Sequence, residues 1–307
     1  MADRSYPPLP EALRVPVYDD HTHLDPFSGR GWFDGDEGGA LDWREQLDRA
    51  SVVGVRGVVQ VGTDVESSRW SAEHAAIDPR MLAAVAIHPN DAAVLDAEGG
   101  LDDALAVIDG LASRPRVRAV GETGLDFFRT AEGGRAAQTR SFEAHIAIAK
   151  EHGLALQIHD RDAHAEVVDA LLRVGAPDRV VFHCFSGDAG LARFAAAQGW
   201  YCSFAGTVTF KNAEGLREAL VALPRNRLLI ETDAPYLAPA PVRGRPNAPY
   251  LVPHTLRSIA ATLETDPSML AAMIASNTEA VYGSWDAEPP QASVAPHGSD
   301  PVGGAGA

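Results

Sequence analysis

Cysteine is nearly absent from this 307-residue chain, which holds only Cys184 and Cys202. Two thiols cannot build a disulfide scaffold and fit a reducing compartment, so the cytoplasm is the expected location. No apolar run reaches the roughly eighteen residues that a membrane span needs. The opening stretch "MADRSYPPLPEALR" lacks the basic start and the apolar core of a secretory signal. Basic residues are scarce too: 26 Lys and Arg stand against 42 Asp and Glu, a formal net charge of −16. Non-specific affinity for duplex nucleic acid comes from displaced phosphate counterions, so a chain of this charge does not coat duplexes. An anionic substrate must be drawn locally, by bound metal or a few arginines. Glycine-rich phosphate loops, a Ser-His-Asp order and zinc-finger cysteine spacing are also missing.

What the chain does have is alternation. Short apolar runs recur at 15–19, 55–61, 82–87, 117–121, 154–158, 179–183, 199–204 and 227–231. They are near-continuously apolar, as strands buried on both faces should be. Amphipathic stretches separate them, such as 138–153, where Phe142, Ile146 and Ala149 recur at helical spacing and Gly153 is placed to cap. Eight such units predict a single-domain (β/α)8 TIM barrel over 15–286, with a doubly wound sheet as the alternative. Residues 1–14 form a proline-rich extension expected to wrap the barrel base. Residues 287–307 have almost nothing to bury and are expected to be disordered. The glycine-rich loop 26–39 follows the first strand, where a barrel has its catalytic mouth, and its Trp32 and Phe33 would form a wall there or pack the loop down.

Polar residues end the strands. Strand one gives His21 and His23, strand three His88, strand four Glu122, strand five His159, strand six His183 and strand eight Asp233. In a strand, residues two apart share a face, so His21 and His23 aim at one point. In a barrel all these positions converge at the C-terminal face. Each alone is an ordinary strand-end histidine or a helix cap. Together they would leave many polar groups near the core without partners, which is costly. His74, His145, His152, His164, His254 and His297 fall on helices, loops or the tail and are expected at the surface.

Imidazole with carboxylate suits Zn²⁺, Mn²⁺ or Fe²⁺ and, less exclusively, Mg²⁺. Six ligands exceed what one catalytic ion with an open position accepts, so two divalent ions (Mg²⁺, Mn²⁺ or Zn²⁺) sharing a carboxylate are expected, with Glu122 the best bridge. Asp233 would orient a water and take its proton. Arg243 and Arg245 would contact phosphate through charge-assisted bonds, if they are not ordinary solvated loop residues.

The landmarks "DDHTHLD", "VGTDVESS", "AIHPNDA", "AVGETGLDFF", "IHDRDA", "FHCFSG" and "ETDAPYLAP" follow one another in order, through to "SNTEAVYG" at 276–283. In these the chain resembles the TatD family of metal-dependent deoxyribonucleases, a branch of the amidohydrolase-like superfamily. The resemblance implies that His21, His23 and Asp233 hold one ion, that His159 and His183 hold the other, and that Glu122 bridges them. His88 would then touch substrate phosphate or the leaving oxygen. Three places depart from the family pattern. Asn90 stands where a second histidine is common, "GRPNAP" (244–249) has Pro246 where arginine is usual, and the loop after strand one is long. All three lie where substrate would be gripped. The resemblance implies a DNase trimming single-stranded ends in the 3′–5′ direction. An amidohydrolase-like enzyme acting on a small amide, lactone or phosphoester, and a non-catalytic metal-stabilised scaffold, are the rival readings.

Overall fold

The computed structural model describes residues 5–28 and 41–285. Eight strands run β1 (Val17–Thr22), β2 (Val55–Val61), β3 (Met81–Val85), β4 (Val117–Asp126), β5 (Ala155–Arg161), β6 (Val180–Phe182), β7 (Tyr201–Phe204) and β8 (Leu228–Ile230). All neighbouring pairs are parallel and the order is sequential from β1 to β8. Sequential order rules out the doubly wound alternative, whose strand order reverses at a switch point. The seam between β1 and β8 is bridged at Thr22 and Ala234, which leaves a nearly closed TIM barrel.

Helices cover the outside: α1 (Trp43–Val52), α2 (Val65–Ala75), α3 (Pro89–Glu98), α4 (Leu101–Ala112), α5 (Glu132–Glu151), α6 (His164–Val174), α7 (Ala189–Ala197), α8 (Glu214–Ala222), α9 (Val252–Thr262) and α10 (Pro267–Tyr282). Their starts are written locally. Asp64 accepts the Ser67 N–H at 2.7 Å and so closes a capping box on α2. On α6, Val167, Ala170 and Leu171 form the buried face at helical spacing. Among the described residues no helix is long and apolar enough to cross a membrane.

The barrel interior is closed at its base by the end of α10 and the residues after it. Trp285 stacks on Tyr18 with ring centroids 4.0 Å apart, and its indole N–H donates to Arg80 O at 3.1 Å. Gly57 makes room for it, since a Cβ there would lie 2.5 Å from the indole nitrogen. Higher in the barrel the filling turns polar: Asp20 accepts from Ser203 at 2.6 Å, and Gln157 donates to Asp20 O and to the Tyr282 hydroxyl, both at 2.7 Å.

The N-terminal segment lies elsewhere than expected for much of its length. Arg245 donates to Ser5 and Tyr6, the Tyr250 hydroxyl to Pro7 O and Arg257 to Glu11 O, while Leu13 N–H reaches Val53 O just before β2. It is therefore pinned along the 245–257 segment before it meets the start of β2. The expected wall residues Trp32 and Phe33, and the expected disordered tail 287–307, lie outside the described residues.

Two strands are longer than their apolar runs. β4 continues past Glu122 to Asp126, and β5 past His159 to Arg161, with pairing held out to Asp126–Arg161. Backbone pairing does not stop where the side chains turn polar. Both β1 and β4 also carry a register shift at the site, between Asp19 and Thr22 and between Val120 and Thr123, so each has one more residue than its partner. Such bulges re-aim side chains near functional sites. Here they fall at His21 and at Glu122.

Candidate metal centre

The six strand-end residues do converge. His21 and His23 bring their Nε2 atoms to 3.3 Å of one another. Asp233 Oδ1 lies 3.4 Å from His23 Nε2 and 3.9 Å from His21 Nε2. Glu122 stands between two groups: Oε1 is 3.7 Å from His23 Nε2, while Oε2 is 2.7 Å from His183 Nε2 and 3.3 Å from His159 Nδ1. The two oxygens of one carboxylate thus face different histidine sets. His183 also stacks on His21 at 3.8 Å, so the two sets share a wall. Ligand-type atoms lie within metal-binding reach in three overlapping groups: His21, His183 and Asp233; His21, His23 and Glu122; and His88, Glu122 and His159.

Local structure sets each ring. Gly124 sits opposite His159 in the β4–β5 ladder at φ +143°, and a Cβ there would come within 2.1 Å of the His159 carbonyl oxygen. Only glycine lets β5 approach this closely. His159 Nε2 then meets Asp126 Oδ2 at 3.3 Å, which leaves Nδ1 facing Glu122. His183 Nδ1 meets Glu231 Oε1 at 3.2 Å, and His23 Nδ1 meets Val61 O at 3.0 Å. In each case the outer nitrogen has an acceptor, so in the neutral ring, the form that binds metal, the inner nitrogen turns its lone pair toward the centre. His88 is different. It caps α3, and its Nδ1 accepts the Asn90 N–H at 3.2 Å, which puts the proton of the neutral ring on Nε2. That nitrogen faces the cluster, 3.3 Å from His159 Nδ1.

Electrostatics divide the cluster by role. Burial would raise Glu122, but His183, His88 and His159 around it together outweigh burial and hold the carboxyl well below its ordinary range. His183 answers in kind: burial opposes its charge, yet Glu122 and Glu231 keep it well above an ordinary histidine. His23 is pushed up to about 9, since Asp233 and Glu122 overcome burial. Burial drives His21 well below its usual range and takes His88 down to about 3. Carboxylates buried this deeply need positive charge or donors beside them, and here the imidazoles stand in that place. The donor set of imidazole and carboxylate fits divalent cations by chemistry and by convergence. Burial pushes the neighbouring Cys184 thiol well above its usual range, so it is no nucleophile at neutral pH.

The expected substrate contacts fare differently. The Asn90 amide donates to Asp126 Oδ2 at 3.2 Å and its oxygen accepts from Thr130 at 2.9 Å, so it braces the residue that holds His159. The Arg245 guanidinium is spent on Ser5 and Tyr6. Arg243 lies exposed with its guanidinium 4.1 Å over the Phe210 ring. His145, expected at the surface, is fully buried and accepts the Ile87 N–H at 3.1 Å through Nε2. It lies on the inner face of α5, one turn past Ser141, whose carbonyl accepts from its Nδ1 at 2.7 Å.

Asp126 and Glu231 escaped the sequence reading as partners of the ligands. The signal was there: Glu122, Gly124 and Asp126 alternate along one strand, and Glu231 precedes Asp233 by the same two-residue step.

A parallel eight-stranded barrel with histidines and carboxylates gathered at the C-terminal ends of its strands defines a metal-dependent hydrolase. The family model for TatD related DNase matches residues 18–283. An uncharacterized metal-dependent hydrolase TatD of Mycobacterium tuberculosis is 43% identical over 271 residues, covering 87% of this chain and 98% of that protein. The 3′-5′ ssDNA/RNA exonuclease TatD of Citrobacter rodentium is 35% identical over 249 residues, 79% of this chain and 92% of its own length. Among solved structures, the TatD homologue YJJV of Escherichia coli superposes with a TM-score of 0.77 at 26% identity, covering 87% of this chain and 98% of that one. This chain belongs to the TatD family of metal-dependent hydrolases.

Proposed function

We propose that this chain binds two divalent ions and hydrolyses phosphodiester bonds, trimming single-stranded DNA from its 3′ end. One observation carries the two-ion reading: Glu122 turns one oxygen to His23 and the other to His159 and His183. On this reading His21, His23 and Asp233 hold one ion, His159 and His183 the other, and Glu122 joins them. A pair of divalent ions supplies Lewis acidity that acidifies water, polarises a phosphoryl oxygen and offsets charge on the departing alkoxide. Asp233, half-buried at the edge of the cluster, takes the proton of the attacking water. His88, neutral and carrying its proton on Nε2, donates to a phosphate or leaving oxygen without needing to change charge.

The substrate class draws support from the Citrobacter relative, named for single-stranded DNA and RNA, and from the net charge of −16, which disfavours wrapping a duplex. Few neutralised phosphates mean few released counterions, so the log–log salt slope of binding should be about −1 to −3 at roughly 0.7 per phosphate. The deciding test is product analysis on end-labelled single- and double-stranded DNA with Mg²⁺, Mn²⁺ or EDTA. Stepwise shortening of single strands from the 3′ end, abolished by EDTA, is expected. Cutting of circular single strands as fast as linear ones would refute end recognition. Failure to cut any nucleic acid with metal fully bound would point to a small-substrate hydrolase.

A further inference from the structure

Large aromatic side chains in this protein are buried or half-buried with two exceptions among the described residues: Phe128, 62% exposed, and Tyr236, 36% exposed. Phe128 follows β4 and Tyr236 follows β8, strands half-way round the barrel from one another, and both lie past the strand ends that carry the metal centre. Phe128 follows Asp126, the partner of His159, by two residues. Tyr236 follows Asp233 by three, and its ring meets the His23 ring edge-on at 6.1 Å.

Neither ring is loosely mounted. Asp126 Oδ1 accepts the Arg129 N–H at 2.8 Å and so fixes the turn that carries Phe128. Asn247 donates to the carbonyls of both Thr232 and Tyr236, which anchors the loop between Asp233 and Tyr236. The Arg161 guanidinium lies 4.2 Å from the Phe128 ring centroid and covers one of its faces. Arg161 is exposed, and among the described residues no carboxylate pairs with it. It sits opposite Asp126 in the ladder and two residues beyond His159, about 6–7 Å along the strand at roughly 3.3 Å per residue. That backbone rise matches the spacing of successive phosphates on a nucleic-acid strand, on the order of one nucleotide step.

We infer that Phe128 and Tyr236 are stacking surfaces for the two bases flanking the scissile phosphate, with Arg161 bracing the Phe128 ring and meeting the next phosphate. The inference rests on the phosphodiesterase reading above and deepens it. An acidic protein cannot rely on a broad basic groove, and aromatic stacking grips any base without reading its sequence. Rigidly mounted rings lose little freedom on binding, which favours this use over a chance exposure.

The test uses full-length, metal-loaded protein and single-stranded DNA carrying 2-aminopurine at the 3′-terminal or the penultimate position, with a phosphorothioate at the terminal linkage to slow turnover. Stacking should quench the probe on binding. Phe128→Ala and Tyr236→Ala should each lose the quench at one position and keep it at the other. Each should raise KM for unmodified DNA about 5- to 150-fold, the range expected for loss of one stacked base, with a smaller change in kcat. Phe128→Trp and Tyr236→Phe should restore both readouts. Replacing the corresponding base by an abasic site should make wild type and the matching alanine variant equal in KM. Unchanged quenching and KM in both alanine variants, with wild type still cutting single strands, would overturn the stacking assignment and leave the phosphodiesterase reading intact. If fully metallated wild type neither binds nor cuts single strands, both fall together.

Discussion

The backbone N–H of Asp233 donates to the carbonyl oxygen of His21 at 2.9 Å, and that of His23 donates to Ala234 O at 2.7 Å. These bonds close the seam of the barrel between its first and last strands. The same two bonds hold Asp233 against the histidine pair. The contacts that close the barrel are therefore the same ones that place Asp233 beside the histidine pair.

Because its backbone placement does not depend on its side chain, Asp233→Asn should stay folded. An amide oxygen coordinates weakly but accepts no proton, so turnover should fall roughly 10²- to 10⁴-fold. Steady-state rates on end-labelled DNA, beside elemental analysis of the same sample, check this. Wild-type rates in a metal-replete variant would remove Asp233 from proton transfer.

Glu122→Gln removes the charge that faces both histidine sets. Wild type should bind close to two ions per chain, and the variant should lose affinity at both sites. Competition titration against a chromogenic chelator measures it. Loss at a single site would mean that Glu122 does not bridge.

Asp126 and Glu231 each fix one ring of the pair His159 and His183. Partners of this kind are worth about 10- to 100-fold in metal affinity. Asp126→Asn and Glu231→Gln should each weaken the ion proposed at His159 and His183 by that factor and spare the one proposed at His21, His23 and Asp233. Equal weakening of both ions would show the two halves to be inseparable.

His145 offers a pH test at a histidine outside the proposed ligand set. Burial takes it down to about 4 although the Ser141 carbonyl opposes the shift, and its Nε2 must stay unprotonated to accept the Ile87 N–H. The unfolded chain takes up a proton near 6.5 and the folded one only near 4. Stability from this group is thus complete above about pH 6.5 and is lost as pH falls toward 4, a few kcal/mol in all at ~1.4 kcal/mol per pKa unit. Urea unfolding of metal-free protein at pH 7.5 and 5 should show a shallower pH dependence for His145→Gln than for wild type. Parallel profiles would refute the linkage.

Trp285→Ala empties the space between Tyr18 and Gly57 at the barrel base. A loss of about 3–5 kcal/mol is expected for a buried tryptophan, read as a lower urea midpoint with the ligand geometry at the other end unchanged. Little change in midpoint would mean that the base is closed without it.

The sequence by itself determined the barrel and the inner ring of the centre. Strand apolarity reports burial on both faces, and a two-residue step reports a shared face, so eight runs and the motif from His21 to His23 could be read locally. The same alternation held Asp126 and Glu231 in view, but a carboxylate's partner across a ladder is set by register. Register here depends on two bulges and on the close approach at Gly124. Only tertiary structure decided that Asn90 braces Asp126, that Arg245 ties down Ser5 and Tyr6, and that His145 lies inside. Each of these depends on contacts between residues far apart in the chain, where a side chain's partner is chosen by packing and not by its neighbours in sequence.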